Sequence, residues 1–395
     1  MSLFKLDNVI QNYAWGSKHA ISHLFGINNP KQEPQAEIWM GVHPNGCSKV
    51  IETGQLLSDV LRQNPEQLLG DYTAKRFGNL PFLFKVLSAD APLSIQVHPN
   101  KHNAEMGFLK ENLAGIPPHA ANRNYKDANH KPELIYALTP YKAMNGFRPI
   151  KQILSLFQQA NLPSLTAEVA QFKKSRNKDG LRSFFKSLMS LDPAKIRHVL
   201  CELDDRLSQP SHTALARKAF EYIRLFKEFY KEDIGLLAPL LLNIVELAPG
   251  EAMFLHTETP HAYVQGTSLE IMANSDNVLR AGLTPKYIDL NELIANTRFE
   301  PIKPRQIKLH PIHKEDRLSF PVPVDDFGLD IIFSDTTKKT QFVRSPEIIF
   351  CINGKVTLSE SSQEVILNTG ESVFVGNDAH FYTFKGQGTL ARAYN

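Results

Sequence analysis

A glutamine and a histidine stand two residues apart in the segment LSIQVHPN, residues 93–100. If this segment is a strand, its apolar residues lie on one face and Ser94, Gln96 and His98 lie on the other. A hydroxyl, an amide and an imidazole on one face indicate either a solvated surface or groups that converge on a common site. The second interpretation requires further ligands from elsewhere in the chain.

Other strand-like segments supply such ligands. His261 and Tyr263 in the segment PHAY would share a strand face. Two carboxylates are candidates, Glu105 in a predicted helix and Glu133 at the start of the predicted strand PELIYALTP. We favour Glu133 because a sheet holds a ligand more rigidly than a helix at the surface, where Glu105 could be an outer or purely exposed group.

Two imidazoles, one amide oxygen and one carboxylate would leave a divalent ion with a net charge near +1. Such an ion retains Lewis acidity and can polarise a carbonyl or a hydroxyl group. Zinc suits this set of ligands, although the ligand types alone also fit manganese, cobalt and iron(II). The residues therefore predict a metal centre without fixing the metal.

Composition narrows the class of protein. The chain has 395 residues, 42% hydrophobic and 22% charged, which predicts a soluble globular protein of two or three domains. Its net charge of +3 predicts no nucleic-acid partner. The three cysteines form no CxxC pair, and no signal peptide or long apolar segment is evident. We therefore expect a cytoplasmic protein without a membrane partner, and a monomer by default.

Local patterns predict a mainly β fold with an inserted α-helical domain. Short strand-like runs fill residues 1–150, where we expect one helix after Asn100, and amphipathic helical segments fill residues 151–235. Strand-like sequence resumes from 236. The segments GEAMFLHTETPHAY (250–263) and GESVFVGNDAHFY (370–382) resemble each other, which predicts two copies of a small antiparallel barrel.

The chain resembles the zinc-dependent type I mannose-6-phosphate isomerase family over nearly its whole length. The resemblance rests on LSIQVHPNK, NHKPELIYALTP, ETPHAY, NYAWGS, AEIWMG and above all EIMANSDNVLRAGLTPKYID. It implies two cupin-like jelly-roll barrels. Residues 1–150 and 236–302 would form a catalytic barrel, 151–235 an inserted helical domain, and 303–395 a metal-free C-terminal jelly roll.

The resemblance also implies the site. By matching position, one Zn²⁺ per chain would be bound by Gln96, His98, Glu133 and His261. The same comparison implies that a larger group lies in or around the active-site cleft. It comprises Trp15, Glu37, Lys85, Ser94, Lys131, Tyr263, Glu270, Asp276, Arg280 and Lys286.

The implied reaction is the reversible interconversion of mannose 6-phosphate and fructose 6-phosphate. Zinc would assist proton transfer between C1 and C2 through a cis-enediol. Arg280 is expected to be catalytic, although a salt bridge to Asp276 is an alternative role for it. For the general base we rank Lys131 and Glu270 ahead of His130 and Asp276. The residues expected to bind the phosphosugar are Lys85, Ser94, Tyr263, Lys286, Trp15 and Glu37.

Two other classes fit part of the pattern. A metal-free cupin that binds sugars or regulates transcription would lack a ligand, yet all four positions are filled. An iron(II) oxygenase would need only two histidines and a carboxylate, which leaves Gln96 unexplained. We expect His380, which repeats the position of His261, to be structural or exposed because neither a Gln-x-His pair nor a Pro-Glu partner accompanies it. We expect His43 to be a loop or helix-surface group and His256 to lie in an exposed turn.

Overall fold

The computed structural model describes residues 2–211 and 213–395, and it contains two sheets of eleven strands each. Every strand pairing in this part of the chain is antiparallel. The strands, in chain order, are β1 (Leu3–Asp7), β2 (Val9–Gln11), β3 (Glu37–Met40), β4 (Lys49–Val50), β5 (Phe82–Ala89), β6 (Gln96–Val97), β7 (Glu133–Ala137), β8 (Tyr141–Phe147), β9 (Leu242–Leu247), β10 (Ala252–Leu255), β11 (His261–Ala273), β12 (Leu279–Arg280), β13 (Lys308–Leu309), β14 (Ile312–His313), β15 (Arg317–Phe320), β16 (Gly328–Ser334), β17 (Lys339–Phe342), β18 (Glu347–Glu360), β19 (Gln363–Asn368), β20 (Ser372–Val375), β21 (Phe381–Lys385) and β22 (Gly388–Tyr394).

The helices are shorter at the two ends of the chain and longest in the middle. They are α1 (Ala20–Phe25), α2 (Leu57–Gln63), α3 (Pro65–Phe77), α4 (Lys101–Leu113), α5 (Ile150–Ala160), α6 (Thr166–Lys174), α7 (Lys178–Met189), α8 (Pro193–Leu207), α9 (Ala214–Lys227), α10 (Ala238–Leu241) and α11 (Leu290–Ala295). Single 3₁₀ turns occur at Pro163–Leu165, Ile234–Leu237, Pro304–Gln306 and Asn377–Ala379. Within the described ranges, no helix is long and apolar enough to cross a membrane.

The thirteen-residue strand β11 organises the first sheet. Its C-terminal part pairs with β5 on one side and β7 on the other, and its N-terminal part pairs with β6 and β8. A register shift between Tyr263 and Gln265 separates the two parts, where Gly266 adopts a φ of 117°. Only glycine adopts that angle readily, so the strand can turn from one pair of neighbours to the other at this point.

The second sheet consists mainly of strands from the C-terminal part of the chain, with β18 pairing with β19, β20, β21 and β22. The N-terminal strand β1 also belongs to it, because Leu3–Leu6 pair with Ser372–Val375. β1 in turn pairs with the short strand β4. Two strands from the predicted first domain, β1 and β4, therefore pair in the sheet that the C-terminal strands form.

The predicted fold class is confirmed in its coarser form, mostly sheet with a helical insertion. The predicted amphipathic helices are α5 to α9, and their apolar faces pack in one core with β6, β12 and α11. Asparagine, aspartate and threonine side chains cap three of them, at Asn177, Asp192 and Thr213. The strand pairings describe two open sheets, however, rather than two closed jelly-roll barrels.

The first 150 residues contain more helix than predicted. The expected helix after Asn100 is α4, and the Asn100 side chain accepts a hydrogen bond from the Asn103 amide at 2.8 Å. The prediction of a single helix was wrong, because α1, α2 and α3 also interrupt the strands. Their apolar residues pack between the two sheets, so tertiary burial decides their conformation more than local periodicity.

Candidate metal and substrate site

The predicted ligands lie on three strands that meet at β11. Gln96 on β6 pairs with His261 on one side and with Arg280 on the other. Glu133 opens β7 opposite Met272 of β11. His98 directly follows β6. Because residues paired across a ladder project from the same face of the sheet, this register directs the predicted ligands into one space.

His98, Glu133 and His261 form a buried group whose possible ligand atoms all lie within 4.8 Å of one another. The Nε2 atoms of His98 and His261 lie 3.3 and 3.4 Å from the two oxygens of Glu133. Each of the three residues is about 2% exposed. A carboxylate with one imidazole facing each oxygen is a set of donors that suits a divalent transition metal.

Both imidazoles are oriented by backbone carbonyl groups. Nδ1 of His98 lies 2.6 Å from the carbonyl oxygen of Asn277, and Nδ1 of His261 lies 2.9 Å from that of Thr259. A proton on each Nδ1 satisfies these bonds and leaves both Nε2 atoms with free lone pairs. Nε2 of His98 is buried without a hydrogen-bond partner. This arrangement matches metal-binding histidines, whose second nitrogen donates to an outer acceptor.

Burial and neighbouring charges set the ionisation of this group. Burial lowers the pKa of His98 to about 4, which favours the neutral imidazole that a metal requires. Burial opposes ionisation of Glu133, but His98 and Lys131 hold the pKa of its carboxyl well below the usual value. The site therefore combines a neutral nitrogen donor, His98, with an anionic oxygen donor, Glu133, near neutral pH.

Gln96 completes the group from the adjacent strand. Its amide nitrogen lies 3.5 Å from the hydroxyl oxygen of Ser94, which leaves its amide oxygen as the ligand atom. Tyr263 donates a hydrogen bond of 2.7 Å to Glu133, and Nζ of Lys131 lies 3.5 Å from the same carboxylate. The structure thus brings five predicted residues to Glu133 or to a residue beside it, namely Gln96, His98, Lys131, His261 and Tyr263.

A second charged group extends from the metal ligands along β5 and β11. Nζ of Lys85 lies 3.0 Å from Glu270 and 3.6 Å from Glu37, and it sits 5.2 Å from the ring centre of Trp39. Lys85, Glu37 and Glu270 are all buried. Burial raises the pKa of Glu270, while the two carboxylates raise that of Lys85 above its ordinary value despite burial. Lys85 is therefore a cation inside the site rather than a strand-edge lysine.

Lys286 lies near two further cations, Arg280 and Lys126. Arg280 is half-buried, Lys286 is exposed, and the described residues contain no ion pair to either. Burial lowers the pKa of both groups, and Arg280 and Lys126 lower that of Lys286 further. The expected alternative of a salt bridge from Arg280 to Asp276 is therefore wrong.

Asp276 instead pairs with His43. Nε2 of His43 lies 3.3 Å from Asp276, and Asn45 donates a bond of 3.1 Å to the same carboxylate. Although burial opposes ionisation, the hydrogen bond and charge of His43 hold the pKa of Asp276 at about 2. His43 lies in a loop, as expected, but its side chain is only 3% exposed.

The other candidate base and ligands lie farther from the buried group. Nε2 of His130 lies 3.0 Å from both oxygens of Asp326, next to the C-terminal sheet. Glu105 is exposed and lies 3.6 Å from Lys101 on α4. His256 is exposed as expected and packs edge-on against Phe254. Trp15 is half-buried and stacks on Tyr13 at 5.8 Å.

Family models match three parts of the chain. Residues 3–150 match the catalytic domain of type I phosphomannose isomerase, 156–242 match its helical insertion domain, and 316–395 match the cupin domain of mannose-6-phosphate isomerase. The chain is also 50% identical to mannose-6-phosphate isomerase of Escherichia coli over 394 residues, 99% of each chain. The chain belongs to the type I phosphomannose isomerase family.

More distant relatives and solved structures agree with this assignment. Human mannose-6-phosphate isomerase is 33% identical over 404 residues, covering 95% of this chain and 93% of the human one. A zinc-bound structure of mannose 6-phosphate isomerase matches with a TM-score of 0.94 and 48% identity over both full chains. The apo form from Salmonella typhimurium matches equally well, at 48% identity over 100% and 99% of the two chains. The chain is therefore an isomerase with a cupin domain.

Two buried residues at this site, His43 and Asn277, were not predicted from the sequence to be functional. His43 orients Asp276, and Asn277 accepts from His98 through its carbonyl group. Asn277 stands inside the motif SDNVLRAGLTPK, two residues from Ser275 and next to Asp276. That motif was the only feature of the sequence that could have indicated a role for Asn277. The contact of His43 depends on a pairing across more than 200 residues, which no local pattern encodes.

Proposed function

We propose that this chain interconverts mannose 6-phosphate and fructose 6-phosphate reversibly, with one zinc ion per chain held by Gln96, His98, Glu133 and His261. The observation that carries the proposal is the buried group of two Nδ1-anchored imidazoles facing one carboxylate, adjacent to the Lys85–Glu270 pair. The zinc-bound relative with the same fold supports the choice of metal.

The bound ion would supply Lewis acidity to oxygen atoms of the open-chain sugar and stabilise negative charge on them. The protein fixes its own ligands for that purpose. Backbone carbonyls hold both imidazoles in one tautomer, Tyr263 and Lys131 hold the Glu133 carboxylate, and Ser94 restrains Gln96. Rigid ligands of this kind lose little free energy to reorganisation when charge develops on the substrate.

Glu270 is the group that we propose as general base. Proton transfer between C1 and C2 through a cis-enediol requires one group that removes a proton and returns it. Burial raises the pKa of Glu270 toward the range where a carboxylate serves as a base near neutral pH. Lys85 at 3.0 Å keeps the carboxyl ionised between turnovers. Lys131 is fixed next to Glu133, which suits it to binding a substrate oxygen instead.

The sugar phosphate would bind at the cations beyond the metal ligands. Arg280 offers a planar fork of donors that matches a phosphate or an enediolate oxygen, and Lys286 adds a further positive charge. Both remain without a carboxylate partner among the described residues. Arg280 is paired with the metal ligand Gln96 across β6 and β12, so it would act where the phosphate arm and the reacting carbons meet. Trp15 and Glu37 would complete the wall of the cleft.

The test is a coupled assay of fructose 6-phosphate formation from mannose 6-phosphate. Protein stripped with a chelator should lose activity and regain it with zinc, and elemental analysis should give one zinc per chain. Glu270→Gln should lower kcat while zinc content and KM stay close to those of the parent protein. Activity that persists after complete stripping would contradict the role of the metal, and an unchanged kcat would remove Glu270 as the base.

A further inference from the structure

One buried residue, Asn277, contacts both a metal ligand and the segment that carries three candidate substrate groups. Asn277 is fully buried, and its backbone oxygen lies 2.6 Å from Nδ1 of His98. Its amide group points in the other direction, into the segment 126–131. This segment carries Lys126, His130 and Lys131, and it connects α4 to β7.

The amide of Asn277 uses all of its hydrogen-bonding capacity on this segment. Its oxygen accepts from the backbone amides of Lys126 and Asp127 at 2.7 and 3.2 Å. Its nitrogen donates to the carbonyl oxygens of Asp127 and Asn129 at 2.8 and 2.9 Å, and to the Asp127 carboxylate at 3.2 Å. The segment is irregular and has no sheet pairing. Its path therefore depends on hydrogen bonds such as these from the Asn277 amide.

We propose that Asn277 is a positioning residue that sets the orientation of His98 and the path of the segment 126–131 together. It would not contact the substrate itself. Through the segment it would place Lys126 next to Arg280 and Lys286 as a third cation for the phosphate, and Lys131 beside Glu133. The inference rests on the proposed isomerase function, because it assumes that His98 binds the metal and that these cations bind the phosphosugar.

Asp127 connects the two halves of this arrangement. Its carboxylate accepts from the Asn277 amide, from the hydroxyl of Ser275 at 2.8 Å and from the backbone amide of Asp276 at 2.7 Å. The two residues before Asn277 are thus tied to the segment as well. A shift of the segment would move Asn277, and its carbonyl oxygen would move with it relative to His98.

The experiment compares zinc affinity and kinetics in Asn277→Ala and Asn277→Asp with those of the parent protein. The backbone oxygen that holds His98 remains in both variants and only its support is lost, so we expect zinc affinity to fall by about 10-fold, the lower end of the effect of removing an outer-shell partner. KM for mannose 6-phosphate should rise by a similar factor in both variants. In Asn277→Asp the new carboxylate faces Asp127, so adding Asp127→Asn should recover part of the loss.

A second measurement tests whether Asn277 acts through Lys126. Lys126→Ala should raise KM in the parent protein and have little further effect in the Asn277→Ala background, because the segment is already displaced. Fully additive effects would contradict the proposed route. Asn277→Asp keeps the acceptor for Lys126 and Asp127, so it provides the same comparison should Asn277→Ala fail to fold.

Asn243→Ala is the matched control. Asn243 is as buried as Asn277, and its amide donates to four backbone carbonyl oxygens, those of Asn145, Gly146, Phe147 and Ile302. It should lose thermal stability to a similar degree while zinc affinity and KM stay unchanged. Equal losses of zinc affinity in both alanine variants would overturn the inference. A parent protein without zinc-dependent activity would refute the proposed function instead, whatever the variants show.

Discussion

The two sheets carry polar clusters at equivalent register positions. Glu133 opens β7 opposite Leu255 and Met272, and Glu347 opens β18 opposite Val375 and Tyr394. Leu255 and Val375 occupy the same position in the repeated segments. Each glutamate also accepts a hydrogen bond from the tyrosine of its own repeat, Tyr263 at 2.7 Å and Tyr382 at 3.1 Å. The repeat therefore extends from sequence into buried contacts.

The neighbouring positions carry opposite charges. Glu270 lies opposite Lys85 in the first sheet, and Arg392 lies opposite Asp330 at the equivalent positions of the second. Glu37 in the first sheet and Arg317 in the second also occupy equivalent positions. Each lies on the next strand, two residues from the residue that pairs with Lys85 or with Asp330. Arg392 donates to Asp330 at 2.8 Å and to Glu347 at 2.5 Å.

The two clusters differ in the groups that face their equivalent glutamates. In the second, Arg392 contacts both Glu347 and Asp330, while Arg317 lies 3.7 Å from Asp330 and 2.8 Å from a third carboxylate, Asp316. The first cluster also contains three carboxylates, those of Glu37, Glu133 and Glu270, with the ammonium groups of Lys85 and Lys131. There the two oxygens of Glu133 face the imidazoles of His98 and His261. Because a buried carboxylate is costly unless its charge is paired, we expect a divalent cation between Glu133 and the two imidazoles, in the role that Arg392 has at Glu347.

The largest expected difference comes from neutralising the two equivalent glutamates. Glu133→Gln removes the anionic ligand, so we expect kcat/KM to fall by more than about 100-fold with a loss of bound zinc. Glu347→Gln leaves Arg392 short of a partner and should instead lower the free energy of unfolding by about 3–5 kcal/mol. Activity per folded molecule should stay at the parent level. Coupled assays, zinc analysis and denaturant unfolding measure these effects.

The comparison would be contradicted if the glutamate of the second cluster, and not only that of the first, proved necessary for zinc binding. A Glu347→Gln variant that loses zinc while remaining folded would show that the second cluster supports the metal site directly. Isothermal measurements below the unfolding transition separate this case from simple loss of folded protein.

Removing the built-in cation is the next test. Arg392→Met leaves Glu347 buried without its guanidinium partner and Asp330 with only the more distant Arg317, and we expect a loss of about 3–5 kcal/mol in the free energy of unfolding. Replacing Glu347 by Gln in the same chain removes the uncompensated charge, so the double variant should be more stable than Arg392→Met alone. A double variant less stable than both single variants would show that the charges do not act as one cluster.

The sequence predicted the metal site better than it predicted this counterpart. Gln96 and His98 stand in one short motif, Glu133 and His261 stand in other predicted strands, and the types of these residues point to metal chemistry. The expectation that the second copy has no Pro-Glu partner was wrong, because Pro346–Glu347 repeats Pro132–Glu133. The pair was missed because the charged residues at the neighbouring equivalent positions have opposite signs in the two copies.

Pairings between distant parts of the chain also could not be predicted from the sequence. The pairing of Leu3–Asp7 with the C-terminal sheet, and of His43 with Asp276, joins residues that no local pattern connects. The helices α1 to α3 were missed for a related reason, since they are short and depend on packing between the sheets. The long amphipathic helices of the insertion were predicted because each buries one continuous face, which a period of 3.6 residues reveals.

A smaller effect is expected from the two tyrosines. Tyr263→Phe removes a donor to the metal ligand Glu133, and we expect zinc affinity to fall by about 10-fold. Tyr382→Phe removes a bond to a carboxylate that Arg392 still holds, so the free energy of unfolding should fall by about 1–3 kcal/mol without a change in zinc affinity. Chelator competition and denaturant unfolding on both variants separate the two results. Equal zinc affinities would show that Tyr263 stabilises the fold and does not tune the metal.

The smallest effect is expected at His380, the counterpart of His261 in the repeat. The second copy is one residue shorter, so His380 falls before β21 in an exposed turn with a φ of 53°, whereas His261 opens β11 in the interior. His380→Ala should change the free energy of unfolding by less than about 0.5 kcal/mol and leave activity unchanged. His261→Ala, the matched variant, should lose bound zinc. A measurable loss of zinc in His380→Ala would mean that the second copy has kept a metal function, against the internal cation that Arg392 provides.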